Sequence, residues 1–209
     1  MFEKVLQAVI QYWYLSLAFV VVSIITVFVC MKAYQASKRT KQKRDIIISR
    51  LKYENRTRAE FSNLTEELMA SAEPKKLFDG VALNIQARLE KEKDMNAAFE
   101  SLPQAQKYIY ALYYVAVDGA QKLSEFFKMN GEPLTSVAGE AVTLILGCKA
   151  GELYSKEYDA FDDKNEDVSL LADVITGQNA EYAKLMEEID LYTLAADYIK
   201  QNPEQFLGK

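Results

Sequence analysis

The stretch Asp159-Ala160-Phe161-Asp162-Asp163-Lys164-Asn165-Glu166-Asp167 holds the densest group of carboxylates in the chain. Oxygen ligands crowded in this way are what a calcium ion takes. An EF-hand loop, however, needs a central glycine and a closing glutamate at fixed positions, and this stretch lacks that pattern. It reads as a solvated loop in which Asp167 or a neighbour caps the next helix. No metal site is expected there. Asp159, Asp162, Asp163, Glu166 and Asp167 are instead candidates for a surface that faces a partner.

The rest of the chemical inventory is sparse. The chain has no histidine, which removes the imidazole base, the commonest metal ligand and the histidine-based triads. Cys30 and Cys148 lie too far apart in sequence to suggest a zinc site or a disulfide framework. No phosphate-cradling glycine loop of either common kind occurs. No cofactor and no catalytic residue is expected, although a carboxylate-based enzyme built around residues 108–127 stays open as an alternative. Tyr108, Tyr110 and Tyr114 read as core or subunit contact, and a pocket lined by their phenols is the other reading. Asn55-Arg56-Thr57 and Asn63-Leu64-Thr65 match the glycosylation sequon by chance if the body lies inside the cell.

The elements that must position these residues begin with an anchor. Residues 5–31 carry no charge, and ten lysines and arginines stand between Lys32 and Arg58. A helix needs about 20 apolar residues to cross a hydrocarbon layer, and a basic flank marks the side that stays in the cytoplasm. The run is too long for the apolar region of a cleaved signal, and no small-residue cleavage pattern closes it. Gln11, Tyr12, Trp13 and Tyr14 suit the outer headgroup level. The expectation is a single-pass protein of the plasma membrane with its N-terminus outside. Lys32, Lys38, Arg39, Lys41, Lys43 and Arg44 would face the lipid headgroups, each worth about 1 kcal/mol near an anionic surface.

Charge divides the chain as sharply as hydropathy does. Residues 1–58 carry 11 basic and 3 acidic side chains, whereas residues 59–209 carry 14 basic and 27 acidic ones. An acidic body is repelled by nucleic acid phosphates, so direct DNA or RNA binding is not expected. The chain thus has three parts: an anchor over 1–35, a basic helical connector over 36–72 and an acidic all-α cytoplasmic domain over 73–209.

No proline or glycine precedes Pro74, so a helix can run unbroken from the anchor into the connector. Ile47, Leu51, Phe61, Leu64 and Leu68 give the connector a thin apolar seam, which suits self-association and packing on the body equally. The prolines at 74, 103 and 133 stand where helices should begin, and Pro203 comes after one that should end near Gln201. The strongest helical pattern covers 104–127, with Asp118-Gly119 interrupting it as a kink or a close contact. Further helices are expected over 134–148, 153–161, 168–175, 182–189 and 191–199. No alternating strand pattern stands out. The fold class is all-α.

Within the body, Leu102-Pro103 and then Tyr108-Ile109-Tyr110 open a set of recognisable motifs. Leu123-Ser124-Glu125-Phe126-Phe127 precedes the turn Asn130-Gly131-Glu132, and Tyr198 to Phe206 closes the set. These residues resemble a bacterial family of all-helical domains defined by a DNA-mimic protein. The likeness covers about half of the chain, with Phe126, Phe127, Asn130 and Gly131 as its core motif. It departs where the family has Asn-Asn-Gly-Gly-Phe and this chain has Gly119-Ala120-Gln121-Lys122-Leu123. The resemblance implies an all-helical fold and a bacterial source. It also implies an acidic surface that competes with DNA for a protein partner; residues 152–190 hold 12 acidic side chains and 3 lysines.

Two functional expectations result. The first is a non-catalytic interaction module anchored at the inner membrane. Its partners would be the bilayer and a protein, with further copies of itself as a third option. The second is an acidic DNA mimic that sequesters a DNA-binding protein.

Overall fold

A computed structural model describes residues 3, 7, 11, 13–119, 122–161 and 173–207. Among these every regular element is helical, as the sequence pattern implies. The chain divides into two compact units, Met1–Tyr53 and Glu54–Lys209.

The first unit is carried by helix α1 (Trp13–Glu60). Its segment Trp13–Tyr34 has a mean hydropathy of 2.5 and none of its most apolar window is buried. At 1.5 Å per residue these 22 residues span about 33 Å, close to the thickness of a bilayer's hydrocarbon core. It is long and apolar enough to cross a membrane.

The second unit begins with the last turns of α1. Thr57 is buried there, and Phe61 just beyond is part of the core. Helices α2 (Glu66–Ser71), α3 (Pro74–Leu89), α4 (Met95–Glu100), α5 (Gln104–Asp118) and α6 (Leu123–Met129) come next. Then come α7 (Leu134–Ala141), a π-helical turn (Val142–Leu146) and α8 (Cys148–Ala160). Helices α9 (Asp173–Glu188), α10 (Leu191–Gln201) and α11 (Pro203–Phe206) complete the unit.

Local chemistry explains most of the boundaries. Pro74 and Pro203 occupy the first turns of α3 and α11, where a missing N–H leaves no intrahelical bond unmade. Thr65, Asp94 and Asp190 accept hydrogen bonds from the backbone N–H groups of Leu68, Ala97 and Thr193. The helical pattern over 104–127 is two helices rather than one kinked helix. Helix α5 stops at Asp118, where the Gly119 N–H bonds back to the Val115 carbonyl. A Cβ at Gly119 would lie 2.8 Å from that carbonyl oxygen.

Helix α5 is central. It packs on α3, α6, α7, α10 and α11, and its buried residues Ile109, Ala111, Leu112 and Val115 look toward several neighbours. Its N-terminus is capped from far along the chain: Gln205 Oε1 accepts from the Ala105 N–H at 2.9 Å. The Gln106 side chain donates to the Gln205 carbonyl and accepts from Arg88 at 2.5 Å. The closing segment is therefore tied to the middle of the body.

The connector's seam divides in the structure. Ile47 and Leu51 are exposed, whereas Phe61 is 2% exposed and Leu64 and Leu68 pack against the core. The Phe61 ring lies over Gly80 of α3, where an added Cβ would come within 2.3 Å of it. Glu60 pairs with Lys76 at 2.6 Å beside this contact, and Arg58 reaches Gln86 at 3.4 Å and Glu90 at 3.7 Å.

Gly80→Ala tests the seat of Phe61. The new methyl favours helix by up to about 1 kcal/mol, but overpacking costs about 1–3 kcal/mol. We expect net destabilisation in thermal unfolding of the full chain in nonionic detergent. Combining it with Phe61→Ala should give less than the sum of the two single effects.

Candidate functional site

Glycines let α7 and its π-turn come close to α8. A Cβ on Gly139 would sit 3.0 Å from the Tyr154 ring, and one on Gly151 would sit 2.1 Å from Thr143 Oγ1. The 134–148 segment, which reads as one helix in the sequence, widens into the π-turn and breaks at Gly147. That residue has φ +100, a region open to glycine.

This approach brings Glu132 into a cluster of hydroxyls. Its carboxylate accepts from Thr135 Oγ1 at 2.8 Å, Ser136 Oγ at 2.7 Å and Tyr158 OH at 2.6 Å. Desolvation tends to raise its pKa, but the hydrogen bonds from Ser136, Tyr158 and Thr135 outweigh this and hold it below the usual carboxylate value. Tyr154 donates to the Thr135 carbonyl at 2.5 Å. Burial, then the neighbouring Tyr158 and Glu132, push the Tyr154 phenol up, so it stays protonated.

A cleft of about 730 Å³ opens here. Thr135, Ser136, Gly139, Glu140 and Thr143 form one wall, and Tyr154, Ser155, Tyr158 and Asp159 form the other. Thr143 Oγ1 donates to the Gly139 carbonyl at 2.8 Å, and Tyr108 OH donates to Glu140 Oε2 at 2.8 Å.

On another side of α8 lies a polar group inside the core. Glu157 is 0% exposed, and among the described residues neither carboxylate oxygen makes a hydrogen bond of ordinary geometry. Burial pushes it up to about 7, and the nearby Ser124 N–H on α6 only partly opposes that rise. The same N–H bonds Asn179 Oδ1 of α9 at 3.4 Å, while Asn179 Nδ2 donates to Ser124 Oγ at 3.0 Å. Tyr182 of α9 faces the same group. Its hydroxyl is buried without a hydrogen-bond partner among the described residues, and its pKa is raised by burial and then by Glu157.

The residues singled out in the sequence fall in different places. Lys32, Lys38, Lys41, Lys43 and Arg44 are exposed on α1, and Arg39 lies on the same helix. Lys32 Nζ stands 5.5 Å from the centre of the Phe28 ring. Asp159 is exposed near the end of α8, on the cleft wall. Asp162, Asp163, Glu166 and Asp167 lie outside the described residues, as does the expected cap at Asp167. Phe126 and Phe127 are buried, with Phe127 against Tyr154 and Tyr158 at ring distances of 5.1 and 5.3 Å. Asn130 Nδ2 donates to the Phe126 carbonyl and to Asp118 at 2.9 and 3.2 Å. The Gly131 carbonyl accepts from Leu134 and Thr135 at the start of α7.

The tyrosines of α5 pack on one another and on neighbours: Tyr110 meets Tyr114 at 5.0 Å and Phe99 at 5.7 Å. Among the described residues no group of three metal-ligating side chains comes together. Sequence reasoning did not single out Glu132, Glu157 or Tyr182. A usable signal exists for Glu157, because Ala150, Leu153 and Glu157 share one helical stripe, placing a carboxylate among apolar residues. Compared with protein-family models, curated proteins and solved structures, the chain matches none.

Glu157 makes stability depend on pH with a defined sign. Its ordinary value is 4.5 and its folded value is about 7, so between these the folded chain holds a proton that the unfolded chain has released. Stability should be highest on the acid side of this window and fall by roughly 2–3 kcal/mol as pH rises through it. Glu157→Gln should flatten the fall and leave the variant more stable than the parent at pH 8, measured by denaturant unfolding.

Proposed function

We propose that this chain is a single-pass membrane protein of the bacterial inner membrane. Its N-terminus is outside, and its helical body acts in the cytoplasm as a non-catalytic protein-binding module. The observation that carries the reading is the exposed apolar helix Trp13–Tyr34 running directly into a basic stretch. Fifteen large apolar side chains on that helix are exposed. Covering them is worth on the order of 20 kcal/mol or more, beyond the whole stability of a typical domain. An apolar phase is the natural cover. The cations between Lys32 and Arg58 then favour the cytoplasmic side for the helical body, with the nearest of them docked on headgroups.

The likeness of residues 102–206 to the DNA-mimic-protein family belongs to the same proposal. It supports a body that works by binding. Acidic mimicry of DNA is the alternative mechanism, and the excess of carboxylates over 152–190 is its support.

Alkaline extraction of membranes should leave the chain in the pellet, and only detergent should release it. A reporter fused after Lys209 should be active only when assayed in the cytoplasm. Replacing Lys38, Arg39, Lys41, Lys43 and Arg44 with glutamine should send a measurable fraction of molecules into the opposite orientation. Activity of the parent fusion on the outer side contradicts the proposal. Recovery of a basic DNA-binding protein as sole partner from solubilised membranes moves the reading to mimicry.

A further inference from the structure

We propose that α9 is the releasable helix of the body, docked on α6 and α8 while the Glu157 carboxyl holds its proton and let go when that proton leaves. This goes beyond membrane anchoring and does not depend on it. Its basis is where the body leaves polar atoms buried and unbonded.

Among the described residues five buried side-chain nitrogens and oxygens make no hydrogen bond. Four of them lie on α8 and α9: both Glu157 oxygens, Gln178 Oε1 and the Tyr182 hydroxyl. Folded interiors leave few such atoms, so their concentration marks this pair of helices as the least satisfied part of the body. The inward stripe of α9 is Ile175, Asn179, Tyr182 and Leu185, half of it polar. Asn179 Nδ2 donates to the Ile175 carbonyl of its own helix at 2.9 Å as well as to Ser124 Oγ on α6. The seam is therefore weakly held.

Loss of the proton puts a full charge into this interior. Toward it α6 turns the Ser124 N–H, already shared with Asn179, and α9 turns the Tyr182 phenol. Glu125 and Lys128 of α6, Glu181, Lys184, Glu187 and Glu188 of α9, and Glu140 of α7 are all exposed. So are Lys149, Glu152, Lys156 and Asp159 on α8 itself, and the π-turn carries no charged residue. Tyr154 and Tyr158 give their protons to the Thr135 carbonyl and to Glu132. Among the described residues no cation counters the carboxylate. A buried charge without a counterion is relieved by letting water in. Helix α8 is seated on α7 and the π-turn, and Phe126 and Phe127 of α6 pack on Tyr154. Helix α9 packs chiefly on α6 and α8, so its release breaks mainly this one seam. Asp190, just beyond α9, caps α10 through the Thr193 N–H, and α10 keeps its start when α9 departs. Released, α9 uncovers Ile175, Tyr182 and Leu185 together with the surfaces of α6 and α8 beneath them.

The test is hydrogen exchange read by mass spectrometry on the full chain in nonionic detergent at pH 6 and pH 8, corrected for intrinsic rates. The carboxyl moves from about 7 when docked to 4.5 when released, so the opening equilibrium of α9 should rise about tenfold over this interval. Peptides of α9 should lose protection by that factor and respond little to low urea, because a local release exposes little surface. Peptides of α5 should stay more protected and respond steeply to urea, as global unfolding demands. Glu157→Gln should hold the protection of α9 constant between the two pH values. Glu157→Met, which also removes the charge, gives the same readout should the amide variant fail to fold. Equal protection and equal urea response of α9 and α5 would overturn the proposal, as would a fall in α9 protection that persists in the folded neutral variants. Unchanged protection of α9 in the parent chain would overturn it too, since water would then reach Glu157 with the helix in place.

Discussion

Two helices that touch through glycine set the terms for one side of this body. With a side chain at Gly151, Thr143 of the π-turn would have to move, and with one at Gly139 the Tyr154 ring would have to give by a few tenths of an ångström. That approach gives Tyr154 its reach to the Thr135 carbonyl and Tyr158 its reach to Glu132. The ring cluster of Phe126, Phe127, Tyr154 and Tyr158 closes over the same contact. Backbone spacing comes first here, and the polar network is its consequence. The cleft exists because the π-turn and Gly147 redirect the chain just beyond the contact.

The body also joins distant parts of the chain through polar side chains. Arg88, Gln106 and Gln205 form a relay across α3, α5 and α11, in which the buried Gln106 amide finds partners at both ends. Burial alone lowers the Arg88 pKa; the Gln106 oxygen offers it a neutral acceptor. Lys75 solves a related problem differently: it pairs with Asp79 at 2.6 Å and stands 4.6 Å from the Tyr192 ring. Desolvation works to lower its pKa, and the Asp79 carboxylate together with Tyr192 more than offsets it. These links hold the ends of the body to its centre without a disulfide.

Much of this was legible in the sequence, and for a physical reason. Proline has one comfortable place in a helix, so Pro74, Pro103, Pro133 and Pro203 marked boundaries correctly. The stripe through Ile109, Leu112 and Tyr113 marked the central helix because a 3.6-residue period admits few alternatives. What could not be read depends on contacts between segments far apart. Nothing local tells that Gly80 is the seat of Phe61, or that Gln205 caps α5 from 100 residues away. The π-turn at Val142–Leu146 packs on α8 and α10, contacts that no local pattern announces. Of the residues singled out in the sequence, Asp159 and Cys148 line the candidate cleft, since carboxylate-rich sequence pointed to the loop and not to the hydroxyls that organise Glu132.

Glu132 and Glu157 show how far surroundings separate two identical side chains. Glu132 stands at the surface with three hydroxyl donors aimed at it and is held ionised. Glu157 lies in the core, with Ser124 N–H shared with Asn179 and a phenol that has no hydrogen-bond partner among the described residues, and it keeps its proton to about pH 7. The first arrangement fixes the direction of the hydroxyl protons around Glu132. The second leaves the interface of α6, α8 and α9 uncharged below neutrality and places a buried charge in it above. The cleft and the polar core lie on different sides of one helix, α8. Glu157 thus shares its helix with Tyr154, Tyr158 and Asp159, and one element carries both the protonated core carboxyl and a wall of the cleft.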